Sequence, residues 1–265
     1  SVNGGQQSHT IYNSKNFGWN GYYVFDTPSS ISLLLGSDGK HDTLKNANYN
    51  TTNRLHTKTN RDLDYTVFNY GVYGQAQYLI AKGLKATAGV RWDAFENDID
   101  NNLIAANSGT GKTSVTSPKI GLSYTPADFV TFFTNFGEGF RYAEATQLSP
   151  NSATQPKNLD LKPYKIKSYD IGVNLAPTND LYLALTYYKT DTEGELRLDA
   201  ASQQYTNIGE TSRKGYEFEA KYKINKEWGA FLNWSYVDAK VKNSLMLTAN
   251  SVIVKVFSLS IKSSI

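Results

Sequence analysis

The sequence contains no cysteine and a single methionine. Without cysteine there is no disulfide framework and no thiolate chemistry. Charge of one sign is also scarce. The 265-residue chain carries a net charge of +3, too little to argue for a nucleic-acid partner. Long apolar runs are missing. The longest, 31–35, is interrupted by Ser32, whereas a membrane helix needs about 18 apolar residues. No basic stretch followed by an apolar core opens the chain, so no signal peptide is read there. Both ends look arbitrary, as in a fragment. Only three histidines occur, His9, His41 and His56, and no pair lies at metal-ligand spacing. No serine sits in a nucleophile-elbow context. These absences argue against an enzyme. They leave a soluble β-rich protein or a membrane β-barrel.

What is abundant is aromatic. Tyrosine (19) outnumbers phenylalanine (12), and there are four tryptophans. Residues 1–64 show little pattern. His9 to Phe25 is rich in aromatics and is read as a strand pair, and 36–64 is polar and is read as a long loop. From Tyr65 the period becomes two. Phe68, Tyr70, Val72, Gly74, Ala76 and Tyr78 share one face, against Asn69, Gly71, Tyr73, Gln75 and Gln77. Leu84, Ala86, Ala88, Val90, Trp92 and Ala94 oppose Lys85, Thr87, Arg91 and Asp93. Alternation this long specifies strands, since a helix repeats at about 3.6. The same reading gives strands near 119–124, 129–138, 169–175, 181–190, 215–223 and 228–236. That makes about eight from Tyr65, or ten with the N-terminal region, in the even series of bacterial barrels.

Two features distinguish a barrel in lipid from a soluble sandwich. Short connections (81–83, 125–128, 177–180, 225–227) alternate with long ones (96–117, 139–167, 191–204), as periplasmic turns alternate with outer loops. Aromatics also bracket the apolar faces. Trp228 to Tyr236 spans roughly 26 Å at ~3.3 Å per residue. Tilted by about 40°, that matches an apolar band of ~25 Å between aromatic girdles. In such a barrel Arg91, Asp93, Glu217, Glu219 and Lys221 face the lumen. A soluble β-domain with aromatic cores is the competing reading.

Several motifs carry possible chemistry. Residues 106–113 fit a relaxed phosphate-loop pattern, but a β-branched run ending in Pro118 follows where a helix is required. Asp98-Ile99-Asp100-Asn101-Asn102 opens like a calcium loop, yet Leu103 and Gly109 occupy the positions that need Gly and Glu. Both read as solvated loops. Arg141 and Tyr142, at the edge of a long outer loop, offer planar recognition of carboxylate or catecholate oxygens and a flat ring face. The alternative is that Gly137 and Gly139 bend the strand end while Phe140 and Arg141 pack structurally. Arg197 and Tyr205 are similar substrate-binding candidates beside 191–204. Arg213-Lys214-Gly215 reads as strand entry and wall charge. No residues are read as catalytic or metal-ligating.

Six segments occur in a telling order: Asn135-Phe136-Gly137-Glu138-Gly139-Phe140-Arg141, Asn158-Leu159-Asp160-Leu161-Lys162-Pro163, Ser168-Tyr169-Asp170-Ile171-Gly172-Val173, Tyr205-Thr206-Asn207-Ile208-Gly209, Arg213-Lys214-Gly215-Tyr216-Glu217-Phe218-Glu219 and Trp234-Ser235-Tyr236-Val237-Asp238-Ala239. Together they resemble the C-terminal barrel of TonB-dependent outer-membrane receptors, over roughly 65–242. The resemblance implies an all-β, antiparallel up-and-down transmembrane barrel, here part of a fold of about 22 strands. It implies a Gram-negative outer-membrane location and energised uptake of a metal chelate, most often a ferric siderophore, carried as cargo and not held as a cofactor. Implied partners are outer-membrane lipid, the siderophore-type ligand, and TonB acting through a plug domain that is not visible in this chain. Residues 1–242 are expected to form the partial barrel. The pattern is lost after Lys242, so 243–265 is read as an atypical tail, from truncation or a shifted frame. A passive porin or small structural barrel is the alternative function.

Overall fold

An antiparallel ladder joins every strand to the next in chain order. The computed structural model describes residues 7–27, 30–148, 157–199, 201–202, 204–243 and 251–263. Its strands are β1 (Gln7–Asp26), β2 (Ile31–Thr52), β3 (Leu55–Ala81), β4 (Leu84–Asn101), β5 (Gly109–Ala127), β6 (Val130–Arg141), β7 (Tyr164–Thr178), β8 (Leu181–Leu198), β9 (Tyr205–Lys223), β10 (Trp228–Asn243) and β11 (Ser251–Ser263). They make one 11-stranded sheet in sequential order. A 3-10 turn at Ala105–Asn107 and a one-turn helix α1 (Ala145–Leu148) are the only helical elements among the described residues. No helix there is long and apolar enough to cross a membrane.

The two faces of the sheet follow the period-two pattern. One carries exposed Leu35, Val72, Val90, Ile120, Phe132, Ile171 and Leu185. A continuous exposed apolar face of this extent far exceeds the few hundred Å² that soluble monomers tolerate. Lipid is the solvent that suits it, and the soluble reading falls. Aromatics band this face at two levels. Toward the long connections, Trp19 lies 6.1 Å from Phe68, Tyr70 5.5 Å from Trp92, Phe136 4.9 Å from Tyr169 and Tyr187 5.2 Å from Tyr216, centroid to centroid. Toward the short turns lie the Tyr23–Phe25 pair at 4.4 Å and the exposed rings of Tyr78, Tyr124, Tyr222 and Trp228. Rings with a polar tip favour such interfaces.

Several boundaries differ from the sequence reading. Residues 9–25 belong to one strand paired along its length with β2, not to a strand pair. Residues 36–64 form a hairpin instead of a loop: β2 and β3 meet at Asn53 and Arg54, both at positive φ (50° and 66°). Two consecutive left-handed residues make the tight turn that suits twisted strands. Gly usually takes the second position, so Arg54 hides the signal. Likewise β4, β5 and β8 run far into 96–117 and 191–204, leaving connections of 102–108 and 199–204. Beyond the lipid both faces meet water or protein, so the apolar alternation fades while backbone pairing continues. The 27 residues of β3 are more than twice the ~10 that a tilted strand needs to span. Within the stretch read as an atypical tail, 251–263 pairs with β10 as β11, with Trp234 opposite Phe257 and Leu232 opposite Leu259. Its Val and Ile favour a strand, but apolar residues on both faces erase the alternation.

The face assignment is testable at β8. Leu183 pairs with Leu175 and Ala220 on the lipid side, whereas Thr186 lines an inner recess with Glu217. Leu183→Arg is expected to lower folding stability in bilayers by about 2–4 kcal/mol, and Thr186→Arg by much less. Chemical unfolding in vesicles measures both, and equal losses would overturn the assignment.

Candidate functional site

The inner face of the sheet is charged at mid-height and capped at its outer end. At mid-height Arg91 (β4) reaches across β3 to β2. It donates to Asp38 at 2.6 and 2.8 Å and to Asp93 at 2.6 and 2.9 Å. Two carboxylates thus fill the guanidinium fork. Gly71 lies beneath it, and a Cβ there would collide with Arg91 Nη2. The Tyr73 ring stands 5.4 Å from the guanidinium carbon. Farther round, Lys221 pairs with Glu219 at 2.6 Å and sits 5.3 and 5.7 Å from the Tyr182 and Phe231 rings. Glu217 and Glu219 line a recess of about 560 Å³ with Asn174, Thr186 and Asn233.

The cap comes from the connection between β6 and β7. The β5–β6 ladder stops at Lys119 opposite Gly137, while β6 stays paired with β7 to Arg141 opposite Tyr164. Freed on one side, the chain carries Phe140 and Tyr142 onto Phe95 of β4. Phe140 meets it edge-on at 5.5 Å and Tyr142 stacks at 4.7 Å. Asn97 Nδ2 donates to the Tyr142 hydroxyl at 2.5 Å. Ala143, Leu148 and Leu161 are then buried against Leu63, Tyr65 and Ile99 of β3 and β4, with Leu44, Leu159, Leu196 and Tyr205 around them. This cluster holds most of the fully buried apolar side chains in the described chain.

Polar clips hold the cap. Asn158 Nδ2 donates to the Tyr205 carbonyl at 2.8 Å. Asn207 accepts from the Lys162 amide at 2.9 Å and donates to the Lys162 and Gly194 carbonyls at 2.9 and 2.8 Å. Lys157 Nζ donates to the Ser108 carbonyl. At Gly111 a Cβ would stand 3.1 Å from the Leu159 carbonyl oxygen. The glycines of the phosphate-loop-like 106–113 thus permit close approach of the cap, and both lie within strand β5.

The substrate-binding candidates occupy different places. Arg141 is exposed at the rim, 3.0 Å from Glu144, and its hydrogen bonds to Tyr164 and Glu144 raise its pKa. Tyr142 and Tyr205 are partly buried against the cluster. Leu196 turns toward the cluster, so the next residue in the strand, Arg197, points to the opposite face, where it lies 3.6 Å from Glu195. Asp98 of the calcium-like run accepts from Thr110 at 2.8 Å. Sequence spacing missed one juxtaposition: His9 Nδ1 and His56 Nε2 come within 3.0 Å across three strands, with Tyr49 stacked 4.1 Å from His56. No group of three or more potential metal-ligating His or acidic side chains occurs among the described residues. The clip residue Asn207 sat inside a recognised segment, but its partner is 45 positions away.

Burial pushes the Tyr65 and Tyr142 hydroxyls up to about 12. A raised pKa means the neutral form is favoured in the folded state. The cap's stability is therefore complete below the unfolded tyrosine value of ~10 and is lost as pH rises from there through about 12. Two late-ionising tyrosines are expected in the ultraviolet tyrosinate titration, and they should disappear from it in Tyr65→Phe/Tyr142→Phe. Asn207→Ala removes three hydrogen bonds and should loosen the cap by about 1–3 kcal/mol. Hydrogen exchange within 157–163 should speed up accordingly while β3–β4 pairing below the cluster stays protected.

The TonB dependent receptor-like, beta-barrel family matches residues 1–253. A probable TonB-dependent siderophore receptor of Acinetobacter baumannii, PiuA, is 22% identical over 247 residues, covering 83% of this chain and 31% of that protein. Among solved structures, the copper transporter OprC superposes with a TM-score of 0.71 at 18% identity, over 89% of this chain and 39% of OprC. The crystal structure of A. baumannii PiuA gives 0.70 at 15% identity, over 92% and 41%. The ferric yersiniabactin uptake receptor FyuA of Yersinia pestis gives 0.71 at 14%, over 90% and 37%. The chain thus spans about a third of its curated relative's length. With the ladder, the two-faced sheet and this match in agreement, the chain belongs to the TonB-dependent receptor β-barrel family, whose members are transporters of the Gram-negative outer membrane, not enzymes, and whose metal chelates are cargo and not cofactors.

Proposed function

We propose that residues 1–242 form a barrel-wall unit, extended by β11, in a receptor that takes up a ferric siderophore with energy delivered through TonB. The observation that carries this reading is the inward-folded cap between β6 and β7. It closes the outer end of the inner face with stacked aromatics, Phe95 and Tyr142, and leaves Arg141 exposed at the rim. An exposed guanidinium at the mouth suits an anionic chelate. The names of PiuA and FyuA as siderophore or ferric-chelate receptors point the same way, while OprC, named a copper transporter, marks the neighbouring substrate class. The described residues build wall and connections, so contact with TonB falls to a plug domain supplied elsewhere in the receptor.

Uptake of radio-iron siderophore in cells making the receptor that contains this chain tests the reading. Uptake should stop when the proton gradient is collapsed, while surface binding persists. Entry that survives collapse would point to a passive porin, and uptake of copper in place of ferric chelate would move the substrate. Arg141→Ala should weaken chelate binding by about 1.5–3 kcal/mol, the range for a hydrogen bond to a charged group. Heat-modifiable electrophoresis should show the barrel unchanged.

A further inference from the structure

The fold brings together two histidines that the sequence keeps 47 positions apart. His9 of β1 stands opposite Tyr49 of β2, and His56 of β3 stands opposite Thr51 of β2. The two exposed imidazoles reach toward each other over β2, and Nδ1 of His9 comes within 3.0 Å of Nε2 of His56. Their ring centroids are 5.2 Å apart and the planes are tilted by 44°. The Tyr49 ring lies flat on His56, 4.1 Å away with 4° between planes, and holds that imidazole in place. Two nitrogens bound to one metal at about 2.0–2.1 Å stand roughly 2.9 Å apart at a right angle and roughly 3.4 Å apart at the tetrahedral angle. The observed 3.0 Å falls in that interval. A hydrogen bond gives the same separation, and in the metal-free pair one ring donates to the other. Moving that proton to the far nitrogen of its ring frees both lone pairs without changing the charge.

We propose that His9 and His56 bind a late first-row divalent cation, Cu2+ most tightly, and that the bound metal staples the outer end of β1 to β3. The surroundings select the cation. None of 7–12, 46–53 and 54–61 contains an acidic residue, so these segments offer no carboxylate to a hard cation such as Ca2+ or Mg2+. Arg54 and Lys58 flank His56 in the sequence and oppose any cation held by charge alone. Imidazole suits Cu2+, Ni2+ and Zn2+, with Cu2+ the tightest of the series. Two protein ligands leave the remaining coordination positions to water. Among the described residues β1 pairs only with β2, and a ligand from each side of β2 ties it to a second strand. His9 shares strand phase with Trp19 and lies ten residues outward of it. At ~3.3 Å per residue and a tilt of about 40°, the pair stands roughly 25 Å beyond the aromatic level, within reach of the external medium. It lies on the opposite face from Arg91 and the cap, so the assignment is independent of which chelate is transported.

The receptor that contains this chain, purified in detergent, would be titrated with Cu2+, Ni2+, Zn2+ and Ca2+, and its first equivalent of Cu2+ followed by electron paramagnetic resonance. The spectrum should show two imidazole nitrogens on the copper, Ni2+ and Zn2+ should bind more weakly, and Ca2+ should not compete. His9→Gln and His56→Gln should each weaken Cu2+ binding at least about tenfold, while His41→Gln leaves it unchanged. Amide exchange at 7–12 should slow when Cu2+ is added to the parent and should not respond in either variant. Undiminished Cu2+ affinity in both variants, or competition by Ca2+, overturns the site. Binding without slower exchange at 7–12 overturns the staple. Both histidines are exposed, so heat-modifiable electrophoresis should show both variants assembled. If either does not assemble, the spectrum of the parent decides the matter, and fewer than two imidazole nitrogens overturns the proposal.

Discussion

Backbone pairing is the constraint on which everything else in this structure depends. In hydrocarbon an unpaired amide or carbonyl has no water to turn to, so strands survive there only as a ladder. All 11 strands pair with their sequence neighbours, and side-chain chemistry is then free to differ completely between faces. The lipid side can be leucine, valine and aromatic because nothing else is asked of it. The opposite face carries Arg91, Asp38, Asp93, Glu217 and Lys221. The same rule requires partners for the outer edges of β1 and β11, which occupy the two ends of the strand order.

One departure from full pairing makes the site. The ladder between β5 and β6 stops at Gly137, and the chain that would have continued as wall turns inward instead. Apolar burial around Ile99 and Tyr65 then supplies the attraction, and Asn158 and Asn207 supply direction. Two segments that look like separate signatures in the sequence, 158–163 and 205–209, are two halves of one contact. Arg141 remains outside it, exposed at the rim.

Much of this was legible in the sequence, and the reasons for the rest are physical. Alternation from Tyr65 to Tyr236 identified the strands inside the membrane because lipid enforces a strict apolar face. It failed in 36–64 and at both ends of 96–117, where strands stand in water and polar Asn, Thr and Asp are as acceptable on one face as the other. Arg54 concealed a tight turn that Gly would have announced. β11 escaped because Val and Phe on both faces have no period. The wall charges could be assigned to a face by counting in twos, but the Asp38–Arg91–Asp93 arrangement could not, because Asp38 lies in the stretch read as loop. The histidine pair was invisible for a related reason, since His9 and His56 meet only through the register of three strands.

The cap also has a mechanical meaning. Its segments are buried with residues from β3, β4, β8 and β9 in one cluster, so no single strand can release it. Lifting 157–163 uncovers Leu161 together with Leu63, Tyr65 and Ile99, and water meets all of them at once. Such a unit opens cooperatively and does not fray residue by residue.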